Sequence, residues 1–224
     1  MKKKLDNLTL LIPAKNEPES LPLVLKELKK YKIKKVIVLQ KDDKDTIKAI
    51  KDKKSKIIFQ KKNGYGSAIK EGIYRIKTKY LCIFNADGSF NPKELFQMRK
   101  SLKRFNFVFG SRYSKNAGSK DDTFLTFIGN KIFSLLGKLF FNIQLNDILY
   151  TYIMGDTKKF KSLNLQNHDF RICIEIPLKI TAKKFKYTFS SSFERKRFKG
   201  EKKVNEFKDG FLIGYYMLKK FLIR

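Results

Sequence analysis

The chain has 224 residues, 42% of them apolar, which suits one domain with a sizeable core and excludes a disordered protein. Its formal charge of +30 comes from 51 Lys and Arg against 21 Asp and Glu. Only eight of those bases are Arg, and base readers rely on Arg forks, so no specific nucleic-acid partner is expected; the charge suits polyphosphate donors and anionic lipid head groups better.

Lys2 to Lys4 are basic, but Pro13 and Lys15 cut the apolar stretch that follows, so no signal peptide is expected. A short apolar run over residues 8–12 breaks at Pro13 and predicts a buried strand. Leu21, Val24, Leu25 and Leu28 then follow helical spacing, with Ser20 as the N-cap. Residues 36–39 and 56–59 predict the next two strands. After a loop containing Asn63, Gly64, Tyr65 and Gly66, helical spacing returns at Ile69, Gly72, Ile73 and Ile76. Residues 80–84 and 107–109 predict strands four and five. This alternation predicts an α/β fold with a mostly parallel central sheet and helices on both faces, and ligands at the carboxyl ends of the strands.

The second half differs. Residues 124–143 form an apolar helix of about bilayer-spanning length, but Lys131 and Lys138 lie inside it and Gly129, Asn130 and Gly137 interrupt it. A core or interfacial helix is expected rather than a span. Residues 172–180 predict a helix and 185–193 a strand. A last helix runs over 209–223, with Phe211, Leu212, Tyr215, Leu218 and Leu222 on one side. Helices with Lys on their flanks suit contact with a membrane surface as well as a core. Cys82 and Cys173 sit in apolar runs, which fits reduced, buried thiols and a cytoplasmic location, peripheral on the membrane if the helices touch it.

Three segments carry chemistry, each just past a predicted strand. In the run from Phe84 through Asn85, Ala86, Asp87 and Gly88 to Ser89, two oxygen-bearing side chains one residue apart point to the same side, a geometry that grips a hard divalent cation. The same composition also suits a polar turn. The run from Pro13 through Ala14, Lys15 and Asn16 to Glu17 offers backbone groups and a carboxylate to a base or ribose, or is a plain strand-to-helix loop. The loop from Lys62 to Ala68 has glycines that permit close backbone approach at a helix N-terminus, but it does not match a P-loop.

Together these segments resemble the family 2 glycosyltransferases of the GT-A fold, and most closely the branch of dolichol-phosphate mannose synthases and polyprenyl-phosphate glycosyltransferases. The matching stretches are LLIPAKNEPESL, VIVLQKDDKDT, KKNGYGSAIKEGI, FNADGSFNPKEL, FGSRY, GNKIFSLL followed by Asp147, MGDTKKF and SFERKRFKGEKKVNEFKDG, from about residue 8 to about residue 210. The resemblance implies a single domain over 1–224, with a nucleotide-sugar half to about residue 112 and an acceptor-side half beyond it.

It further implies that Pro13, Ala14 and Glu17 contact the nucleoside, and that Asp87, helped by Asn85 and Ser89, holds Mg²⁺ or Mn²⁺ across the diphosphate. Gln40, Ala86, Lys62 and the Gly64–Gly66 loop would flank the donor. Arg112 would face phosphate, and Arg195, with Lys199, Lys202 and Lys203, would close over the site. The implied activity is transfer of a hexose from a UDP-, GDP- or dTDP-sugar to a polyprenyl phosphate or a membrane-associated glycan, with inversion. Asp147 is the candidate base for a hydroxyl acceptor, or else a turn residue after the long helix. The pattern departs from the family at Asn85, where an acid is usual, at Gln40 and Lys41, where acids usually end the second strand, and at Thr126 and Phe127, where bases are often seen. A soluble transferase acting on a sugar hydroxyl and a catalytically silent nucleotide-sugar binder therefore remain open alternatives.

Overall fold

The structure, a computed structural model, describes residues 5–223. Lys2, Lys3 and Lys4, the basic residues noted at the start of the chain, and Arg224 lie outside the described residues.

The first half alternates as predicted: β1 (Leu8–Pro13), α1 (Ser20–Leu28), β2 (Lys34–Leu39), α2 (Lys44–Ala49), β3 (Ser55–Phe59), α3 (Tyr65–Arg75), β4 (Tyr80–Ile83), α4 (Leu95–Ser101) and β5 (Phe107–Ser111). Then follow β6 (Gly118–Ser119), α5 (Phe124–Phe141), β7 (Ile153–Asp156), α6 (Thr157–Ser162), α7 (Ile172–Ala182), β8 (Tyr187–Ser191), β9 (Phe193–Glu194) and α8 (Glu206–Leu222). The main sheet has the order β3-β2-β1-β4-β7-β5-β8, and β6 pairs with β9 in a small second sheet. All neighbours in the main sheet run parallel except β7, which is antiparallel to both β4 and β5. Strands from both halves of the chain share this one sheet.

Parallel strands covered on both faces read as continuous apolar runs, and every residue of β1 is buried. The pleat divides them: Leu11 packs into the core beneath α3, α7 and α8, while Leu10 and Ile12 join the opposite core with α1 and α4. The β3-β2-β1-β4 order places a topological switch between β1 and β4, where a crevice opens at the strands' carboxyl ends.

Several expectations change. Glu19, not Ser20, occupies the N-cap of α1 and makes no capping bond; the Ser20 hydroxyl instead donates to the Glu17 carboxylate. The strand expected over 185–193 is two, broken at Ser192. Of the two placements left open for the stripe of Phe211, Tyr215, Leu218 and Leu222 on α8, the fold takes the exposed one, and Ile213 and Met217 are its buried residues. On α5 the buried residues are Asn130, Ser134, Gly137 and Phe141, a single stripe at helical spacing. Cys82 and Cys173 are free and buried, as expected, and burial pushes the Cys173 thiol up to about 12.

Candidate active site

β1 ends in Pro13, and the chain turns through Asn16 at φ 52°. Backbone N–H groups of that turn are held from α2: Asn16 N donates to Asp43 Oδ2 at 2.7 Å and Glu17 N to Thr46 Oγ1 at 2.8 Å, while Asp43 also caps α2. Glu17 is thereby fixed at the crevice mouth. Burial raises its pKa above the ordinary carboxylate value, opposed by the Ser20 hydroxyl and by Lys203.

β4 ends beside it. Phe84 N donates to Leu11 O at 2.9 Å, continuing the sheet for one residue, and the chain then turns through Gly88 at φ 87°. Beneath the turn, Phe84 packs edge-on to Phe90, and Phe90 stacks on Tyr152 with ring centroids 4.5 Å apart. Ser89 donates to Asp87 Oδ1 through both its N–H, at 2.9 Å, and its hydroxyl, at 2.7 Å. The nearest base to the other oxygen, Oδ2, is Arg197, whose Nη1 lies 4.0 Å away.

A cavity of about 370 Å³ joins these two strand ends. It is lined by Pro13, Ala14, Glu17, Gln40, Gly64, Asn85, Ala86, Asp87, Ser89 and Arg112, so most of the residues singled out in the sequence share one space. In a chain whose bases outnumber its acids 51 to 21, the lining is balanced. Five acids (Glu17, Asp87, Asp121, Asp122, Glu194) face five bases (Lys15, Arg112, Arg197, Lys202, Lys203). One end is apolar, formed by Leu149, Phe170, Cys173 and Ile213.

Four assignments are corrected. Lys62 is exposed and does not line the cavity; Gln60 does, its amide donating to Lys62 O at 2.7 Å. Arg195 also lies outside the cavity, clamped by both Glu27 oxygens at 3.0 Å and by Phe90 O at 2.7 Å. Its neighbour Arg197 faces the site instead, bidentate on Asp121 at 3.1 and 2.5 Å. Arg112 lines the cavity but is already held by carboxylates: Nε and Nη2 donate to Asp147 at 2.9 and 2.8 Å, and Nη1 to Glu194 at 3.1 Å. Asp147, 1% exposed, has both oxygens taken by Arg112, with Asn130 donating as well, so it positions Arg112 and is not placed to take a proton from an acceptor. A base needs a lone pair aimed at the substrate.

The glycine loop serves another end than expected. A Cβ on Gly64 would sit 2.2 Å from His168 O, and one on Gly66 2.6 Å from Asn167 O. The close approach the glycines permit is therefore to the chain's own 167–169 segment. His168 O accepts from Ser67 N at 3.1 Å, and the Ser67 hydroxyl meets His168 Nδ1 at 2.7 Å, so this histidine fastens the start of α3.

Sequence reasoning missed Asp121, Asp122 and Arg197. Asp122 Oδ2 accepts from the Tyr113 hydroxyl at 2.5 Å, whereas its buried Oδ1 accepts no hydrogen bond among the described residues and is ion-paired with Arg112 Nη1 at 3.5 Å. Two signals were available: adjacent acids in an acid-poor chain, and the scarcity of Arg, which makes each guanidinium informative.

The segment from Arg195 to Asn205 straps the site. Arg195 N donates to Ser89 O at 2.8 Å and Phe198 N to Asp87 O at 2.7 Å. The Phe198 ring covers Gly88 so closely that a Cβ there would lie 2.4 Å from it. Lys203 Nζ reaches to 4.0 Å from Glu17 Oε1.

For a divalent cation, the donors that fit are the Asp87 carboxylate, the Asn85 amide oxygen and the Ser89 hydroxyl. Among the described residues no three His, Cys, Asp or Glu side chains are grouped to hold a metal. Hard cations are commonly held by one or two carboxylates and completed by substrate phosphates.

The family model described as Glycosyl transferase family 2 matches residues 9–163. An uncharacterised glycosyltransferase of Mycobacterium tuberculosis strain H37Rv is 31% identical over 109 residues, 48% of this chain and 49% of that protein. An uncharacterised protein of Methanocaldococcus jannaschii is 28% identical over 132 residues, 56% of this chain and 54% of that one. The chain thus spans about half the length of the curated relatives it matches. Among solved structures, glucosyl-3-phosphoglycerate synthase from M. tuberculosis, in complex with Mn²⁺, UDP and phosphoglyceric acid, superposes with a TM-score of 0.71 at 10% identity, over 96% of this chain and 78% of that one. Mannosyl-3-phosphoglycerate synthase from Rubrobacter xylanophilus does so at 0.70 and 11% identity, over 95% and 72%. These likenesses show the shared fold.

Proposed function

Because the chain belongs to glycosyl transferase family 2, we propose that it is a divalent-metal-dependent hexosyltransferase that uses a nucleotide-sugar donor and passes the sugar to a polyprenyl phosphate. One observation carries the reading: Asp87 and Glu17, from the ends of β4 and β1, open into one cavity at the sheet's switch point. Glu17, Gln40 and the backbone of Pro13 and Ala14 would take the nucleoside, and Asp87, Asn85 and Ser89 would hold Mg²⁺ or Mn²⁺ against the diphosphate. The bound cation would offset the charge that grows on the leaving nucleoside diphosphate. Arg197 and Lys203, on the strap, would add positive charge there and help exclude water. The Mn²⁺ and UDP bound in the mycobacterial synthase support the choice of a divalent cation and a nucleotide as ligands.

In the reaction an acceptor oxygen forms a bond to the anomeric carbon as the bond to the diphosphate oxygen breaks, inverting that centre. A phosphate acceptor is already ionised at neutral pH and needs no base. This fits the acceptor side, where Asp121 and Asp147 are both engaged by arginines. The apolar end of the cavity suits a lipid tail. A second reading rests on Asp122, whose Oδ1 accepts no hydrogen bond among the described residues and meets Arg112 Nη1 only as an ion pair at 3.5 Å, and which could take a proton from a sugar hydroxyl in a membrane-associated glycan.

One assay separates the readings: release of nucleoside diphosphate from UDP-, GDP- and dTDP-hexoses, with and without Mn²⁺, and with polyprenyl phosphate or a glycan as acceptor. Turnover should need the metal and fall about a hundredfold or more in Asp87→Ala. Asp122→Asn should spare transfer to phosphate and abolish transfer to a hydroxyl. Metal-independent turnover, or full activity in Asp87→Ala, would overturn the metal assignment. Donor binding without any release would leave a silent binder.

A further inference from the structure

α5 and α8 pack side by side and parallel. Thr126 at the start of α5 donates to Glu206 at the start of α8, Phe133 approaches Gly214 midway, and Phe140 meets Phe221 near the ends, with ring centroids 4.8 Å apart. Each helix buries one stripe inward, and the outward stripes are apolar too. On α5 that stripe is Phe124, Ile128, Ile132, Leu135 and Leu139, with Phe124 79% exposed. On α8 it is Phe207, Phe211, Tyr215, Leu218 and Leu222, with Phe207 78% exposed. Eighteen and seventeen residues at helical rise make the joint face roughly 25 Å long and two helices wide. Its area is on the order of 500 Å², at the upper end of what an ordinary monomer leaves bare.

We propose that this face docks the protein on an anionic bilayer surface, with both helices lying in the plane of the interface. The proposal rests on the reading of the acceptor as a membrane-held lipid phosphate, and supplies the surface by which this chain would reach it. Charge selects the occupant. α5 carries no acid, and Lys131 and Lys138 lie among its exposed residues. On α8 Lys208, Lys219 and Lys220 are exposed, and its two acids, Glu206 and Asp209, both lie in the first turn. Glu206 is engaged by Lys202 and Asp209 by Asn205 N.

A second copy meeting this face about a twofold axis would bring the same lysines together in a chain already at +30, and repulsion opposes that. A surface of anionic head groups attracts them and receives the apolar side chains between them. α5 meets the length and apolarity of a span, but its inner stripe is tied into the fold: Asn130 donates to Asp147, and Ser134 Oγ accepts from Ile148 N at 3.2 Å. It therefore lies on the membrane and does not cross it. The inner side of α5 gives Thr126 and Asn130 to the cavity and that of α8 gives Ile213, so docking would hold the cavity's apolar end beside the bilayer.

The test is co-sedimentation of the full chain with vesicles of phosphatidylcholine alone or mixed equally with phosphatidylglycerol, at low and high salt. Binding to the mixed vesicles is expected, weak on phosphatidylcholine and weakened by salt. It should fall at least about tenfold in Leu135→Glu/Phe211→Glu, and also in Lys138→Glu/Lys219→Glu. Circular dichroism and the thermal shift given by Mn²⁺ with nucleotide-sugar check that the variants fold.

Undiminished binding in folded Leu135→Glu/Phe211→Glu would overturn the proposal, since general charge would then suffice. So would no vesicle binding, with or without a solution dimer that this variant dissociates. The two readings fail separately. Vesicle binding without nucleoside diphosphate release sinks the enzyme and leaves the docking face, whereas turnover without vesicle binding does the reverse.

Discussion

Asp147 looks from the sequence like a free acid placed after a helix, and its role is set by contacts that sequence does not display. Arg112 lies 35 positions away, yet both oxygens of Asp147 bond its guanidinium. Removing Asp147 leaves a buried cation with too little counter-charge, so Asp147→Ala should lower stability by about 3–5 kcal/mol in urea unfolding, with Asp147→Asn milder. An unchanged unfolding midpoint would show the network to be slack. The same limit explains the exchange of Arg195 and Arg197. The sequence marks a basic strap, but only the bonds from Arg195 N to Ser89 O and from Phe198 N to Asp87 O fix which guanidinium meets the site. Asp87, Glu17 and Asn85 were legible because each stands just past a buried strand, where side chains have few places to go.

At the scale of elements, long apolar runs and helical spacing located β1 to β5, α1, α3, α5 and α7 to within a few residues. Short elements escaped. β7 is four residues long, too few for a periodic signal, and becomes a central strand only by pairing with β4 and β5. α8 was found, but its apolar stripe stayed open between core and surface, and only the fold shows that Ile213 and Met217 are buried while Phe211 and Tyr215 stay bare. The first turn of the helix is anchored: Glu206 accepts from Lys202, Thr126 and Thr123, and these bonds hold its pKa down at about 2 against an ordinary 4.5. A carboxylate depressed in the folded state stabilises above its ordinary pKa and loses that contribution as pH falls toward 2. Because the pair is partly exposed, the effect should stay below about 1 kcal/mol. Urea midpoints between pH 5 and 2.5 should therefore fall more in the native chain than in Glu206→Gln. Parallel pH profiles would show that this carboxylate does not anchor α8.

Across the whole molecule, charge is unevenly distributed. The surface carries the lysine excess, while the cavity balances five acids against five bases. A polyanion should therefore bind weakly and without discrimination. Unrelated DNA and RNA duplexes should show equal affinities that fade together between about 50 and 200 mM salt, as counterion release requires. Sequence-selective retention at physiological salt would contradict this and restore a nucleic-acid role. The family and the α/β sheet were determined by the sequence itself, because buried parallel strands and the motifs that follow them are local patterns along one stretch of chain. Which carboxylates are free, which arginine meets Asp87 and which sides of α5 and α8 stay bare were decided only by the tertiary structure. Those properties depend on groups tens to more than a hundred residues apart coming within a few ångströms, and no local pattern encodes such distances.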